Sequence, residues 1–264
     1  MKSLVLVKHV PDRNSVFRIN SKGTWVDETN LSFTVNDYDR YALEELLKLK
    51  DSGKVNEVVA LTVGPAEAAS ALRTCLATGA DRAIHVKDDA LGGSDPFGIA
   101  RAIQAAIASE GFSLVIAGLQ ADDDNHTQVG GLLAGLLDWP CATAAVGLAF
   151  VDDSTLRIER ELENNEIQVV DLSLPAVVTV QTGINSPRYA SLKGIMAAKK
   201  KTVQTIGLSD LGLDPGEVGG ASARLRTVSL SPPPKGKGAE ILTGSPDEMA
   251  KALVSRIREK TGVI

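Results

Sequence analysis

Apolar residues fall along this chain in short, nearly unbroken runs at 4–7, 58–63, 83–86, 114–117 and 176–180. Runs of this length predict strands covered on both faces, as in a parallel sheet. Between them, apolar residues recur at helical spacing over 38–50, 66–78, 96–110 and 128–137, with Leu43, Leu46 and Leu47 on one side of the first. Gly79 reads as a C-terminal cap, and Ser94-Asp95-Pro96 as a helix start. Strand alternating with helix implies an α/β fold with a doubly wound, mostly parallel sheet.

The pattern then changes. Residues 155–161 and 166–170 flank Asn164-Asn165 and predict a β-hairpin that extends the sheet. No sustained periodicity appears over 207–245, and 231–238 (SPPPKGKG) has the composition of a linker. Order returns at Ser245, where Pro246 and Glu248 complete a capping box ahead of Met249, Leu253 and Ile257 on one stripe. The expected organisation is an α/β domain over 1–206 and an extended arm over 207–264 that ends in a helix and lies on another protein.

Composition narrows the function. A net charge of −5 gives no general pull toward nucleic acid or anionic membrane, and 4% aromatic residues leave little for base stacking. Cys75 and Cys141 lack CxxC spacing and read as small buried hydrophobes, with no metal site expected. Only four apolar residues precede Lys8 and His9, so the start reads as a buried strand rather than an export signal or membrane span. The expectation is a cytoplasmic protein with no direct membrane insertion.

The segment 118–130, GLQADDDNHTQVG, joins the fourth apolar strand to the following helix. In an open α/β sheet, ligands bind there, with a phosphate on the free amides of the helix N-terminus. A solvated acidic turn is the alternative reading. Three adjacent carboxylates repel a phosphate, so Asp122, Asp123 and Asp124 suit capped amides or ribose hydroxyls better. Thr127 and Leu133 stand where an EF-hand needs Gly and Glu. Neither GxGxxG nor GxxxxGK[ST] occurs, and Gly92-Gly93-Ser94-Asp95 follows the third strand, where a phosphate-clamping loop of the ATP-pyrophosphatase kind would follow the first. Residues 35–39, VNDYD, precede the first helix and suit amide capping or contact with a ligand in the same crevice. His9, His85 and His126 have no neighbouring nucleophile, so nothing announces bond-making chemistry.

Residues 185–201, NSPRYASLKGIMAAKKK, are punctuated as a loop by Asn185, Pro187 and Gly194, yet carry Tyr189, Leu192, Ile195 and Met196. That is more apolar surface than a solvated loop carries; the residues leave open an exposed role for Leu192, with Met196 expected to fold back onto the body.

Together VLVKHVPD, VNDYDRYALEELLKLK, VGPAEAASALRTCLATGADRAIHV, the 120–130 loop, LPAVVTV and NSPRYASLKGIMAAKKK resemble the beta subunit of electron transfer flavoprotein, in one order from residue 4 to about 201. The resemblance implies an electron carrier rather than an enzyme, working with an alpha partner. That pair accepts electrons from acyl-CoA-type dehydrogenases of fatty acid oxidation and passes them to a quinone oxidoreductase or other acceptor. It implies FAD held mainly by the alpha subunit, and AMP in the beta subunit's adenine-nucleotide-binding α/β domain. The implied AMP contacts are Leu6, Asn36, Asp37, Tyr38, Asp39 and Val63, with the run Gly118, Leu119, Gln120, Ala121, Asp122, Asp123, Asp124, Asn125, His126, Thr127, Gln128 and Val129. The implied dehydrogenase contacts are Tyr189, Leu192, Ile195, Lys199 and Lys200. Asp122 to Asp124 resemble AMP-binding members, whereas Gln128-Val129-Gly130 and the 92–95 segment resemble electron-bifurcating members with a second FAD in place of AMP. An ATP-using enzyme or a nucleotide sensor on a related fold is the more distant alternative.

Overall fold

A computed structural model describes residues 1–234, 236 and 238–262. The chain runs β1 (Lys2–Leu6), β2 (His9–Pro11), β3 (Phe33–Val35), α1 (Asp37–Asp51), β4 (Glu57–Val63), α2 (Ala69–Thr78), β5 (Arg82–Val86), α3 (Pro96–Ile107) and β6 (Leu114–Gly118). It continues through α4 (Val129–Leu137), β7 (Cys141–Phe150), β8 (Thr155–Glu161), β9 (Ile167–Ser173), β10 (Ala176–Val180), α5 (Leu192–Ala198), β11 (Val203–Ile206), α6 (Leu208–Leu211) and α7 (Pro246–Thr261). A nine-stranded sheet has the order β11-β5-β4-β1-β6-β10-β7-β8-β9, parallel from β11 to β7 and antiparallel beyond. The expected α/β class, parallel sheet, hairpin extension and C-terminal helix are all present.

Strand side chains alternate between two cores. Val5, Val58 and Ala60 face α1 and α2, while Leu4, Val59 and Leu61 face α3 and α4. After β1 the chain builds outward through β4 and β5, then returns to place β6 on the other side of β1. Strand order therefore reverses between β1 and β6, where a crevice opens beyond the strand ends.

Several elements differ from the sequence reading. Strand β7 was not expected: its Ala- and Gly-rich residues are mostly only half buried, so it lacks the Val/Ile density of the other parallel strands. Cys141 opens that strand and is exposed, in contrast to buried Cys75. The first compact unit comprises Met1–Arg18 and Val26–Val228, beyond the expected boundary at 206. Leu208 and Val218 hold this extension, both buried in the core facing α3. A second unit consists of Ile19–Trp25 with the chain from Ser229 onward, joined by Leu230 N–H donating to the Gly23 carbonyl (2.7 Å). Within it α7 starts on the expected capping box, with Ser245 Oγ accepting from Glu248 N–H (3.4 Å) and Glu248 Oε2 from Ser245 N–H (2.8 Å). Lys235 and Lys237 of the expected linker lie outside the described residues.

The crevice depends on a close approach between α1 and the end of β6. A Cβ at Gly118 would lie 2.4 Å from Asp39 Oδ1 and 2.6 Å from Tyr38 Cβ. Gly118→Ala is therefore expected to cost about 1–3 kcal/mol through forced separation of the two elements. Urea unfolding measures this, and a loss below about 0.5 kcal/mol, ordinary for a neutral surface substitution, would contradict the tight packing.

Candidate functional site

Beyond the ends of β1, β4 and β6 lies a cavity of ≈ 260 Å³. Its apolar wall comes from Leu6, Leu61, Val63, Ile99, Ile103 and Ala117, and its polar side from Lys8, Asn36, Asp39, Ser94 and the 118–130 segment. Of the expected nucleotide contacts, Leu6, Asn36, Asp39, Val63, Gly118, Leu119, Gln120, Ala121, Asp124, His126, Thr127, Gln128 and Val129 line it. Asp37, Tyr38, Asp122, Asp123 and Asn125 are not among the lining residues. Helical geometry separates the two halves of 36–39: Asn36 and Asp39, three apart, share the face toward the cavity. Asp37 instead pairs with Arg13 (3.1 Å), and the Tyr38 hydroxyl accepts from Gln120 Nε2 (3.2 Å). Lys8, Ser94, Pro96 and Ile99 also line the cavity, a contribution the sequence reading did not include.

Asn36 does not cap its helix through its side chain. It clasps the opposite loop, accepting from Asp122 N–H (3.0 Å) and donating to the Gln120 carbonyl (2.9 Å). The three aspartates divide their work. Asp122 accepts from Arg13 (3.2 Å) and from Asp37 N–H at the start of α1 (3.4 Å). Asp123 and Asp124 each bind the Lys8 ammonium at 2.7 Å. Burial works against the charge on Lys8, but Asp123 and then Asp124 overcome it and leave its pKa raised. Burial likewise opposes the charge on Asp124, and Lys8 holds its pKa below the usual carboxylate range. The carboxylates of this loop are thus engaged by Lys8 and Arg13.

What remains for an anion is backbone. Thr127 has positive φ (55°) and Gln128 is right-handed, a left-right pair that turns successive N–H groups into one concavity. The first α4 amides add to it, because Leu132 N–H is the first to find an acceptor one turn back, at the Gln128 carbonyl (2.9 Å). A β-branched residue in the left-handed region is strained, and such strain concentrates at ligand sites. With a helix dipole behind it, the concavity favours a phosphate over a neutral group. Among the described residues, no cluster of three or more His, Cys, Asp and Glu could hold a metal ion. No described helix is long and apolar enough to cross a membrane.

The expected docking residues sit elsewhere on the first unit. Tyr189, Leu192 and Ile195 are exposed, as are Lys199 and Lys200, and the segment forms a short helix, α5, rather than a loop. Met196 does not fold back: it is 64% exposed. Gly194, whose Cβ would lie 2.2 Å from the Ala77 carbonyl oxygen, seats α5 against α2 and turns Met196 outward.

Asp39 is the buried ionisable group at the cavity. Its carboxylate accepts from Lys8 N–H (2.7 Å) and Gly118 N–H (3.1 Å). Burial raises its pKa to about 7, against those donors and the Lys8 charge. The folded value lies above the unfolded one, so its stabilising contribution is full below about pH 4 and is lost as pH rises through 7. Asp39→Asn should therefore be less stable than the parent at pH 5, by the loss of one acceptor, with the gap closing by pH 8. Thermal unfolding across that range checks this; a gap that widens with pH would contradict it.

Comparison with known proteins gives a consistent answer. Residues 23–211 match the family model described as electron transfer flavoprotein domain. The chain is 39% identical over 264 residues to the electron transfer flavoprotein subunit beta of Methylophilus methylotrophus, covering 99% of this chain and all of that protein. It is 39% identical to the subunit of the same name from Bradyrhizobium diazoefficiens over the full length of both. It is 36% identical to that from Sus scrofa, over 98% of this chain and 97% of that protein. On this evidence of sequence, carried along the whole length, the chain belongs to the electron transfer flavoprotein family, among its beta subunits.

Proposed function

We propose that this chain is the beta half of a heterodimeric electron carrier, holding AMP in the switch-point cavity while an alpha partner holds the redox flavin. FAD bound in the heterodimer would supply the electron chemistry between an acyl-CoA-type dehydrogenase and a downstream acceptor. The beta chain's residues orient and bind. The observation that carries the nucleotide reading is the cavity itself: an apolar slot ending on the Thr127–Gln128 amide concavity and the start of α4. Its apolar wall suits a purine and its amides suit a phosphate, with no reactive side chain required. Asp122 to Asp124, which resemble the loop of AMP-binding members, favour AMP over a second FAD.

Acid extraction of the purified heterodimer with mass spectrometry tests this: one FAD and one AMP per dimer are expected, and two FAD without AMP would refute it. Gln128→Glu, which sets a carboxylate beside the phosphate, should lose the nucleotide and lower Tm together. The stabilisation at stake is about 2.7 kcal/mol at a hundredfold excess of ligand over Kd.

The chain from Ser229 serves as an arm on the alpha partner. No residue of α7 is buried, and Leu253 and Val254 are exposed despite the helix's cap and apolar stripe. Helices of this length draw most of their stability from packing an apolar face, so a surface outside this chain is the natural cover. Deleting α7 should weaken the heterodimer at least tenfold while the parallel sheet stays folded. Analytical ultracentrifugation with far-UV circular dichroism checks this, and an unchanged dissociation constant would count against it.

A further inference from the structure

The exposed apolar residues around Leu192 sit on a helix of seven residues, far below the ~12–15 needed for an isolated helix to persist in water. Something in the fold must hold it, and the strongest contacts converge on one side chain. Arg188 donates Nε and Nη2 to the two oxygens of Glu44 (2.8 and 3.0 Å), and its backbone N–H to Glu44 Oε2 (3.1 Å). Nη2 also reaches Asp51 Oδ2 (2.7 Å). The Glu44 side chain is only 8% exposed and the Arg188 side chain 38%, so the fork is shielded from water on its carboxylate side. The Glu44 and Asp51 carboxylates hold the guanidinium's pKa further above its already high value. Beside it, Asn185 Nδ2 donates to the Tyr41 carbonyl (3.0 Å) and Glu45 Oε2 (2.9 Å).

The far end is tied through carbonyls. Arg73 Nη1 donates to the carbonyls of Ala198 (2.8 Å) and Lys201 (2.9 Å), and Lys201 Nζ to those of Leu76 and Ala80 at the end of α2. Lys201 is thereby removed from any steering role, leaving Lys199 and Lys200 outward. Between these ties Tyr189 is 84% and Leu192 76% exposed.

We infer that Arg188 is a positioning residue for electron-donor docking: its clamp onto Glu44 of α1 orders the 189–198 segment before the partner arrives. This rests on the reading of that segment as the dehydrogenase-docking site. A segment ordered in advance loses less conformational freedom on binding, so the clamp acts on affinity without touching the partner or the flavin. Arg188→Lys keeps the charge but loses the bidentate fork. Glu44→Gln keeps shape and one acceptor and loses the charge, so it serves if the lysine variant folds poorly.

The experiment uses the complete heterodimer with an acyl-CoA dehydrogenase from the same organism, reduced by its acyl-CoA, and Leu192→Ala alongside. Expected for Arg188→Lys is a roughly tenfold rise in KM for the flavoprotein at unchanged kcat, with an unchanged flavin spectrum. Amide hydrogen exchange should quicken at least tenfold over 189–198 and stay unchanged over 58–63 in β4. If Leu192→Ala raises KM while both clamp variants leave KM and exchange at wild-type values, the clamp proposal is overturned and the docking reading stands. If Leu192→Ala leaves KM unchanged, the docking reading fails and the positioning role fails with it.

Discussion

One buried carboxylate sits where the sheet divides. Asp39, in the first turn of α1, accepts a backbone N–H from the exit of β1 and another from the last residue of β6. Those two strands run side by side and their connections then leave in opposite directions. Without an acceptor in the gap, two buried amides would face each other unpaired, at a cost of about 1–3 kcal/mol each. Asp39 also fixes the distance of α1 from β6, which is why position 118 has no room for a Cβ. Asn36 then brings in the 120–122 backbone, and Asp123 and Asp124 close over Lys8. The amide concavity at Thr127 and Gln128 is the end of that chain of contacts.

Helix α1 therefore has two functional ends. Its N-terminal residues shape the cavity, and Glu44, Glu45 and Asp51 farther along hold the exposed α5 segment through Arg188 and Asn185. Each end relies on a buried carboxylate, Asp39 at one and Glu44 at the other, and each leaves a particular surface presented outward. A buried ion pair is a poor source of net stability, so its use here fits orientation better than strength.

How much of this could be read from the chain depends on where the information is local. Strands β1, β4, β6 and β10 announce themselves because burial on both faces favours short runs dense in Val, Leu and Ile. Strand β7 does not, since its Ala- and Gly-rich, mostly half-buried residues lack the Val/Ile density of those strands. Helix α5 is invisible to periodicity because seven residues with a central glycine become helical only when Arg188 and Arg73 hold the ends. The crevice position follows from strand order, and most of the 118–130 segment lines it. Asn36 and Asp39 line the cavity while Asp37 and Tyr38 do not, a distinction that depends on the rotation of one helical turn. The roles of Lys8 and Ser94 depend on long-range contacts that no local pattern records.

The central claim is that the switch-point cavity, held by Asp39, presents the amides before and at the start of α4 to the phosphate of a mononucleotide. A crystal structure of the heterodimer at a resolution that separates phosphate from water tests it most directly. The account predicts one phosphate within hydrogen-bonding distance of the amide nitrogens of Gln128 to Gly130, with the purine against Leu6 and Val63. A dinucleotide running out of the cavity, or a phosphate placed away from those amides, would contradict it.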